Sequence, residues 1–406
     1  MIKKNKKLRI AFVCNVFPGL AETFIRNQID YFLKKNHRVD IYAASYIIKN
    51  DLLKKYKNVY GSSGKFIKFL LFPFYFFKYF FKKPKEILDS LNFLKWSKEA
   101  VSLKIFYTYI FFLEKNYDIL MCHFGSSGNV SSFIKKNLLQ KVKLFCMFHG
   151  REIRETEKKN KMLYKPLYDE GDIILSISEY NKKYLNKWFN GSKAKIINHP
   201  VGIDTLKFKT KKEFNKSKID ILSVGRLIEE KGYFYALNGI KKLLGEFPDK
   251  KITYRIIGGG YLKKKLKEYV RKNSLNQNVK ILGPKSSNEV RTLLKKSDIF
   301  LSSSISEALP VSIMEAQSSG LPIIATDVGG VKELIINQKN GFIVSPLNSE
   351  EIYKKLSWMI NNKNKWKKLG KVGRRNVEKK YDINILNKKL EKLFYNSLKK
   401  VKNANL

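Results

Sequence analysis

Cysteine is scarce in this chain of 406 residues, which contains three of them. Cys14, Cys122 and Cys146 lie within or beside apolar runs and are widely separated in the sequence. Metal sites need ligands at close spacing, and disulfide-rich domains are short secreted chains with many cysteines. We therefore expect three buried, unpaired thiols in a reducing compartment.

Long hydrophobic runs are absent as well. The apolar run at residues 69–77 is far too short to span the ~30 Å of a bilayer core. Residues 1–7 are rich in lysine and lead at once into a strand-like run, without the apolar region and cleavage site of a secretory signal. We therefore expect a cytoplasmic chain.

Acidic residues are few. The chain has 35 aspartates and glutamates but 81 lysines and arginines, so its net charge is +46. Arginine supplies only 11 of these cations, and the lysines are spread along the whole sequence. The charge either solvates most faces or attracts anionic partners such as phosphates or an acidic lipid surface, and both can hold. A nucleic-acid-binding protein would show a clustered basic patch or a recognition module, and this sequence shows neither.

Strand-like and helix-like runs alternate along the chain, which predicts an α/β fold with parallel sheets. The length predicts two domains, and a polar, lysine-rich stretch at residues 202–218 reads as their connection. A helix is expected at residues 22–35. The predicted strands are residues 8–14, 38–43, 118–122, 144–148, 172–177, 219–224, 252–257, 279–282, 298–301 and 322–325.

Two glutamates, Glu307 and Glu315, stand eight positions apart across a junction between a loop and a helix. Pro310 suits the first turn of that helix, so Glu307 lies on the entering loop and Glu315 roughly two turns inside. Such a junction offers backbone N–H groups beside carboxylates that accept from hydroxyls, which suits a ligand with both phosphates and sugars. Three further motifs accompany the junction, one upstream at residues 223–232 and two downstream at residues 320–334 and 340–344.

These motifs, in this order, resemble those of the retaining glycosyltransferases of family 4, whose signature is two glutamates separated by seven residues. The resemblance implies the GT-B fold, with two Rossmann-like domains facing across a cleft and a C-terminal helix that crosses back to the first domain. The expected boundaries are an acceptor-side domain at 1–203, a nucleotide-sugar-binding domain at 204–380 and the returning helix at 381–406.

The resemblance also implies the donor site. Arg226 and Lys231 would bind the diphosphate, Glu307 the donor sugar and Glu315 the ribose hydroxyls. At Ala308 relatives commonly carry glycine, and the added Cβ is expected to restrict the loop or narrow the space beside the sugar. The remaining donor-binding candidates are Gly225, Gly258, Gly283 and the backbone of Ala308, Leu309, Pro310 and Val311.

In the first domain the resemblance points to two histidines. His149, which ends a predicted strand, would contact the donor sugar, and His123 would lie near the active site. Glu152 stands where relatives usually have aspartate, and it is an acceptor-side candidate. Glu22 and Thr23 begin a helix, where capping and contact with acceptor or phosphate are both open.

A metal is not required by this sequence, because it has no Asp-x-Asp pair and no cluster of histidines and cysteines. We therefore expect metal-independent transfer without a cofactor, in which the cations near the diphosphate take the place of a divalent ion.

Residues 66–83 mix aromatic side chains with lysines around Pro73, within an insert at about 66–113. Aromatic rings and ammonium groups suit the interface of a membrane, so we expect attachment to one leaflet, with Phe76 and Phe77 among the contacts. A second apolar helix is predicted at residues 101–113. The alternative is a pair of helices that pack in the core.

Together these expectations describe a retaining glycosyltransferase that moves a sugar from a UDP- or GDP-sugar to a lipid-linked saccharide. Its setting would be the synthesis of capsule, lipopolysaccharide or a similar polysaccharide at the inner face of the cell membrane. The alternatives are a nucleotide-sugar epimerase of the same fold and, on charge alone, a nucleic-acid-binding protein.

Overall fold

The computed structural model describes residues 6–17, 23–46, 55–61, 65–96, 98–101, 103–150, 152–153, 163–210, 214 and 217–402. The chain forms two compact units. The first contains Met1–Ile177, Lys182–His199 and Asn387–Leu406, and the second contains Ser178–Asn181 and Pro200–Leu386.

The first unit is built on a parallel sheet with the strand order β3-β2-β1-β4-β5-β6-β7. Its central strands are apolar along their length because helices cover both faces, and all five residues of β4 are buried. Every strand predicted here is present, while the short, half-buried strands β3 and β7 at the sheet edges were missed. The strands are β1 (Arg9–Phe17), β2 (Arg38–Tyr46), β3 (Val59–Gly61), β4 (Ile119–His123), β5 (Lys143–Phe148), β6 (Ile173–Ser176) and β7 (Lys195–Asn198).

Helices connect these strands. Thr23 starts α1, and the predicted start one residue earlier, at Glu22, lies outside the described residues. The helices up to β7 are α1 (Thr23–Lys34), α2 (Lys65–Phe80), α3 (Pro84–Leu91), α4 (Phe93–Trp96), α5 (Lys98–Val101), α6 (Lys104–Ile110), α7 (Gly125–Asn137), α8 (Lys165–Glu170) and α9 (Glu179–Trp188).

The single helix predicted over residues 101–113 is wrong. Leu103 has a φ of 54°, in the left-handed region, and this conformation separates α5 from α6. A left-handed residue cannot continue an α-helix, and the apolar pattern of the sequence contains no glycine or proline that would have signalled the break.

Helix α2 has two apolar faces. On one face Phe72, Phe76 and Phe80 pack against α6, and the Phe72 and Phe106 ring centroids are 4.8 Å apart. On the opposite face the side chains are more than half exposed. We call this second surface the outer face of α2, and it consists of Phe69, Leu70, Phe74, Phe77 and, just beyond the helix, Phe81.

The second unit repeats the theme with a parallel sheet in the order β10-β9-β8-β11-β12-β13. The strands predicted here are present, and Gly341–Val344, noted only as a motif, is a further strand. The strands are β8 (Lys218–Val224), β9 (Lys251–Ile257), β10 (Val279–Gly283), β11 (Ile299–Ser302), β12 (Ile323–Thr326) and β13 (Gly341–Val344). The helices are α10 (Tyr233–Glu246), α11 (Lys263–Lys272), α12 (Ser287–Lys296), α13 (Val311–Ser318), α14 (Val331–Leu334), α15 (Ser349–Asn361) and α16 (Trp366–Lys380).

The strand order reverses once in each sheet, between β1 and β4 in the first and between β8 and β11 in the second. In an open parallel sheet the connections on either side of such a switch point run to opposite faces and leave a crevice at the carboxyl ends of the strands. This geometry places the end of β1 and the loops after β4, β8 and β11 where a ligand is expected.

The last helix, α17 (Ile383–Lys402), packs on the first unit over the part that begins at Asn387. Phe394 is fully buried, with its ring centroid 5.2 Å from that of Phe32. Glu391 accepts a hydrogen bond of 2.8 Å from the Tyr31 hydroxyl and lies 2.9 Å from His37 Nε2. These contacts fix the end of the chain to α1 and its neighbours.

The three cysteines are buried free thiols, as predicted. Burial raises the pKa of Cys122 to about 12, which keeps this sulfur in the unreactive thiol form. Within the described ranges, none of the helices is both long enough and apolar enough to cross a membrane.

Candidate active site

The loop after β8 begins with Gly225 and Arg226 and ends in a single 3₁₀ turn, Glu229–Lys231. Gly232 follows with a φ of 58°, and a Cβ there would lie 2.1 Å from the Ser303 carbonyl oxygen. Only glycine permits this approach of the backbone to the end of β11. Lys231 is thereby placed beside the loop that carries Glu307.

The Lys231 side chain passes over Gly225 to reach that loop. Its Cε lies 3.5 Å from the point where a Cβ of residue 225 would stand. The ammonium group forms an ion pair with Glu307 Oε1, and the Ser304 hydroxyl donates to the same oxygen at 2.8 Å. Both charged side chains are largely buried, with 20% of Lys231 and 11% of Glu307 exposed. Two candidates that lie 76 residues apart in sequence therefore meet.

Arg226 directly follows Gly225, and its side chain is exposed. It therefore lies at the same switch point as Lys231, on the solvent side of the loop. Its guanidinium can turn toward an anion without the desolvation that the largely buried Lys231 has already undergone.

The loop that carries Glu307 is supported by the segment after β12. The Gly330 N–H donates to the Ala308 carbonyl at 3.0 Å, and a Cβ on Gly329 would lie 1.7 Å from the Glu307 carbonyl oxygen. Gly329 has a φ of 55°, so this position demands glycine. The Thr326 hydroxyl also donates to the Ser304 carbonyl. Gly329 and Gly330, which lie in the motif at residues 320–334, thus pack against the loop that carries Glu307 and support its backbone.

Ala308 does not have a positive φ, in contrast to six other non-glycine residues of the described chain. Its Cβ therefore imposes no left-handed strain. The expected restriction of the loop, or of the space beside the sugar, at this departure from the family pattern stays a prediction. The carbonyl of Ala308 is used by Gly330, as described above.

Glu315 lies on α13, which begins after Pro310, Leu309 and Ala308 have led the chain away from β11. Its carboxyl group is mostly withdrawn from solvent, and this burial raises its pKa to about 7, while the nearby Arg291 charge acts in the opposite direction. A half-buried carboxylate with a raised pKa calls for hydrogen-bond donors, and hydroxyl groups are donors that can meet this need.

Gly258 and Gly283 close the other side of this site. A Cβ on Gly258 would lie 1.8 Å from the Gly225 carbonyl oxygen, so the ends of β8 and β9 approach more closely than a side chain allows. The Gly258 N–H donates to the Gly283 carbonyl at 3.0 Å. The three glycines thus hold the loops after β8, β9 and β10 against one another.

In the first unit, His123 at the end of β4 and His149 after β5 form a pair. Their Nδ1 and Nε2 atoms are 3.0 Å apart, and the Phe24 ring stacks on His149 with 4.4 Å between centroids. Burial lowers the pKa of His123 to about 3 and that of His149 well below its usual value. Both rings are therefore neutral near pH 7 and cannot supply a positive charge.

Glu152 is buried and bonds to backbone. Its carboxylate accepts from the His149 N–H at 3.2 Å and from the Gly125 N–H at 3.3 Å. These contacts order the loop after β5 and the start of α7. The predicted role of Glu152 toward an acceptor stays a prediction, as does that of Thr23, which is exposed at the start of α1.

Three residues at these sites were missed by the sequence reasoning. Ser304 binds Glu307, Phe24 covers His149, and Phe124 joins His123 to α7 with a strained φ of 73°. Strained non-glycine residues concentrate at functional sites. Ser304 stands in a serine-rich run that gave no signal, whereas Phe24 and Phe124 stand in segments that resemble family motifs but were given no role of their own.

The chain is similar in sequence to known glycosyltransferases. Residues 204–376 match the family model described as glycosyl transferases group 1. The putative colanic acid biosynthesis glycosyltransferase WcaL of Salmonella typhimurium is 25% identical over 388 residues, 86% of this chain and 90% of WcaL. The amylovoran biosynthesis glycosyltransferase AmsK of Erwinia amylovora is 26% identical over 378 residues, 83% of this chain and 86% of AmsK.

Two solved structures share the fold. Anabaena Alr3699/HepE, crystallised with UDP, has a TM-score of 0.72 at 16% identity, covering 96% of this chain and all of the other. A glycosyltransferase from Rickettsia africae has a TM-score of 0.70 at 19% identity, covering 97% and 100%.

The fold and the sequence relatives define a glycosyltransferase of the GT-B architecture, with two Rossmann-like domains. This confirms the fold class predicted from the sequence. The match of residues 204–376 to the model of glycosyl transferases group 1 confirms the resemblance inferred from the motifs. An epimerase is not favoured, because these relatives are named as glycosyltransferases.

Proposed function

We propose that this glycosyltransferase moves a sugar, with retention, from a UDP- or GDP-sugar to a lipid-linked saccharide during the assembly of a cell-surface polysaccharide. The observation that carries the proposal is the ion pair between Lys231 and Glu307 at the switch point of the second sheet. A cation for a leaving diphosphate and a carboxylate for sugar hydroxyls stand side by side there.

In this proposal, donor binding replaces the contact between Lys231 and Glu307 by contacts of each residue with the donor. Without a ligand, Glu307 neutralises Lys231 and Ser304 binds the same carboxylate oxygen. A diphosphate is the stronger anion and takes over the ammonium group, and the released carboxylate accepts from hydroxyls of the donor sugar. The exposed Arg226 supplies a second cation as negative charge develops on the leaving group.

Glu315 binds the ribose in this scheme. Two vicinal hydroxyls can donate to the two oxygens of one carboxylate, and this favours the ionised form. The raised pKa of the unliganded group then falls on binding. Gly258 and Gly283 leave room for the nucleotide to approach the backbone.

Retention is proposed to follow from attack on the same face from which the diphosphate leaves, with a phosphate oxygen taking the acceptor proton. The first unit offers the neutral pair of His123 and His149, which can orient hydroxyls by hydrogen bonding. Isolation of a covalent glycosyl-enzyme intermediate would contradict this route. The proposed reaction needs no metal, and the described residues contain no group of three or more histidine, cysteine, aspartate or glutamate side chains placed to hold one.

The names of the relatives support the polysaccharide setting. WcaL and AmsK are named for the biosynthesis of colanic acid and amylovoran, and they align with most of this chain. HepE was crystallised with UDP and with UDP-glucose. These names place uridine first among the donor bases to test.

A membrane surface is the proposed location of the acceptor. The outer face of α2 exposes 55–81% of five large apolar side chains on one stripe, a continuous patch that a chain surrounded by water rarely shows. The exposed Lys78, Lys82 and Lys83 lie beside it, where lipid phosphates would stand. One face of α2 packs in the protein, as the alternative predicted. Attachment to one leaflet through the exposed outer face stays a proposal.

Thermal-shift measurements with UDP, GDP and ADP test the donor class. A nucleotide at 100 times its Kd should stabilise the chain by ~2.7 kcal/mol, because it binds only the folded state. Lys231→Ala should abolish this shift and lower turnover by orders of magnitude while the protein stays folded. Lys242→Ala is the matched control, because it removes an exposed ion pair with Glu350 on a distant helix face of the same unit.

Three outcomes would contradict the proposal. One is the absence of a shift with every nucleotide. Another is an equal shift in the wild type and Lys231→Ala. The third is conversion of the donor sugar without any acceptor, which would indicate an epimerase.

A further inference from the structure

A cavity of about 230 Å³ lies in the first unit, beside the ends of β1, β2 and β3 and closed by α6 and α7. Val13, Ala43 and Ile134 form apolar parts of its wall. The lining also includes five aromatic rings, those of Tyr42, Tyr60, Tyr107, Phe111 and Phe112, and the smaller residues Cys14, Gly61, Thr108 and Val130. Nothing in the proposed donor chemistry uses this space.

Two of the three tyrosine hydroxyls of this wall, those of Tyr42 and Tyr60, are engaged in hydrogen bonds with other protein groups. The Tyr42 hydroxyl donates to the Phe111 carbonyl at 3.2 Å and lies 2.6 Å from the Tyr117 hydroxyl. The Tyr60 hydroxyl accepts from Lys115 at 3.0 Å. Tyr42 and Phe112 stack with 3.9 Å between centroids. The two tyrosines therefore contribute ring surface rather than hydroxyl groups.

The mouth of the cavity is polar. Asn15 and Ser126 are exposed, and they bond to each other at 3.1 Å, while the Ser127 hydroxyl donates to Asn15 at 3.2 Å. An apolar interior behind a polar rim fits an amphiphile with its hydrocarbon inside. A pyranose would bury several hydroxyls against Val13, Ala43 and Ile134, at a cost of about 1–3 kcal/mol for each unpaired group.

Helix α6 lies between this cavity and the inner face of α2. Tyr107 and Phe111 line the cavity, and the same two residues belong to the cluster in which α6 packs against α2. Helices α6 and α2 thus lie between the space and the proposed membrane surface. The cavity also adjoins the switch point between β1 and β4, where His123 ends its strand.

We infer that the cavity binds the hydrocarbon next to the polar head of the acceptor, that is, the first carbons of its lipid. The inference rests on the proposed function, which supplies a lipid-linked acceptor. Holding these carbons would fix the distance between the lipid head and the reacting hydroxyl. In proportion to a 150 Å³ cavity that holds benzene, the space takes roughly nine carbon atoms.

Titration calorimetry with n-alkyl phosphates of four to twelve carbons, below their micelle concentrations and without vesicles, tests the inference. Affinity should rise about fourfold per carbon, as expected for burial of each methylene group. It should stop rising near nine carbons, where the cavity is full. A rise that continues unchanged to twelve carbons would indicate adsorption to an open surface and overturn the inference.

Two filling variants locate the binding site. Ala43→Leu on β2 and Val130→Phe on α7 both occupy the space and should weaken octyl phosphate binding at least tenfold. Ala43 is buried and Val130 is half-buried on another element, so a folding defect in one leaves the other informative. Phe77→Ser on the outer face of α2 is the control and should leave octyl phosphate binding unchanged.

The thermal shift with UDP separates the two proposals. If both filling variants keep the nucleotide shift and also keep full octyl phosphate affinity, the cavity is not the lipid site and the donor assignment stands. If no nucleotide stabilises the wild type, the proposed function fails whatever the alkyl phosphates do.

Discussion

Glu315 couples the stability of the second domain to pH. Its pKa is raised from 4.5 to about 7 by burial, so between these values the folded chain retains a proton that the unfolded chain has released. Stability therefore falls as pH rises through this window and levels off above it. Relative to Glu315→Gln, the wild type should lose up to ~3 kcal/mol of unfolding free energy between pH 5 and pH 8.

Urea unfolding of both proteins at the two pH values measures this difference, and Asp249→Asn on an exposed turn controls for general charge effects. An equal pH dependence in the wild type and Glu315→Gln would show that this carboxyl group is not the source.

The same carboxyl group should make donor affinity depend on pH. If ribose hydroxyls donate to ionised Glu315, the affinity for UDP-glucose should rise by about tenfold from pH 6 to pH 8, because the free carboxyl group titrates in that range. Glu315→Gln should bind more weakly and without this dependence. Fluorescence or calorimetric titrations give the constants, and a pH-independent affinity in the wild type would remove Glu315 from the ribose site.

Individual site residues were predictable where a motif fixed the backbone. Lys231 and Glu307 meet because Gly232 and Gly329 allow approaches that a Cβ would block, and these glycines stand in the sequence. Glu152 is different, since its partners are backbone N–H groups of a loop and a helix start. Such partners depend on the fold and leave no trace in residue identity.

At the scale of elements, the two faces of α2 are expected to respond differently to substitution. Phe74→Ser with Phe77→Ser removes two rings that are more than 60% exposed. The double variant should bind anionic vesicles at least tenfold more weakly, because each buried ring contributes about 1.5–3 kcal/mol. Its unfolding free energy should stay close to that of the wild type. Sedimentation with vesicles measures the first quantity and urea unfolding the second.

The inner face supplies the control. Phe76 was expected from the sequence to meet the membrane, but it packs toward α6 and is only partly exposed. Phe76→Ser should therefore lower stability without a comparable loss of vesicle binding. If the inner and outer variants released the protein from vesicles equally, the outer face would not be the binding surface.

Helix α17 should carry a large share of the stability of the first domain. Phe394 is fully buried, with ring centroids of Phe32 and Phe145 at 5.2 and 4.7 Å. Phe394→Ala should cost about 3–5 kcal/mol of unfolding free energy, as expected for a lost buried ring. Asn396→Ala, exposed on the same helix, should change it by less than ~1 kcal/mol. A small effect of Phe394→Ala would mean that the helix docks loosely.

Elements with strong periodicity were predicted well, and short edge elements were not. The central strands are apolar on both faces, which the sequence shows directly. Strands β3 and β7 are half-buried and three or four residues long, so they look like loops. The break between α5 and α6 depends on the left-handed Leu103, a residue with no such preference, and only tertiary packing can impose it.

For the whole molecule, the net charge of +46 would add a long-range attraction to the proposed contact between the outer face of α2 and anionic lipid. Binding to vesicles that contain anionic lipid should fall at least tenfold between 50 and 500 mM salt, because the Debye length shrinks to a few ångströms. Vesicles of neutral lipid should bind weakly at both concentrations. Binding that ignores both salt and lipid charge would assign the attachment to the apolar face alone.

The architecture of the whole chain was predictable because two features are visible in the sequence. Alternating strands and helices indicate parallel sheets, and ordered motifs in the second half indicate the group 1 family. What sequence cannot reveal is which loops meet at a switch point, since this depends on strand order. The cavity in the first domain is of this kind, because β2, β3, α6 and α7 reach it from distant parts of the chain.

The five exposed side chains on the outer face of α2 also have a practical consequence. In a purified sample without lipid, the same phenylalanines and leucine would bury themselves against another copy of the chain. We therefore expect the protein to self-associate in plain buffer and to be monomeric in mild detergent, because the outer face of α2 would be covered by another copy in the first case and by detergent in the second. Kinetic constants for this enzyme are best measured in detergent or with vesicles present.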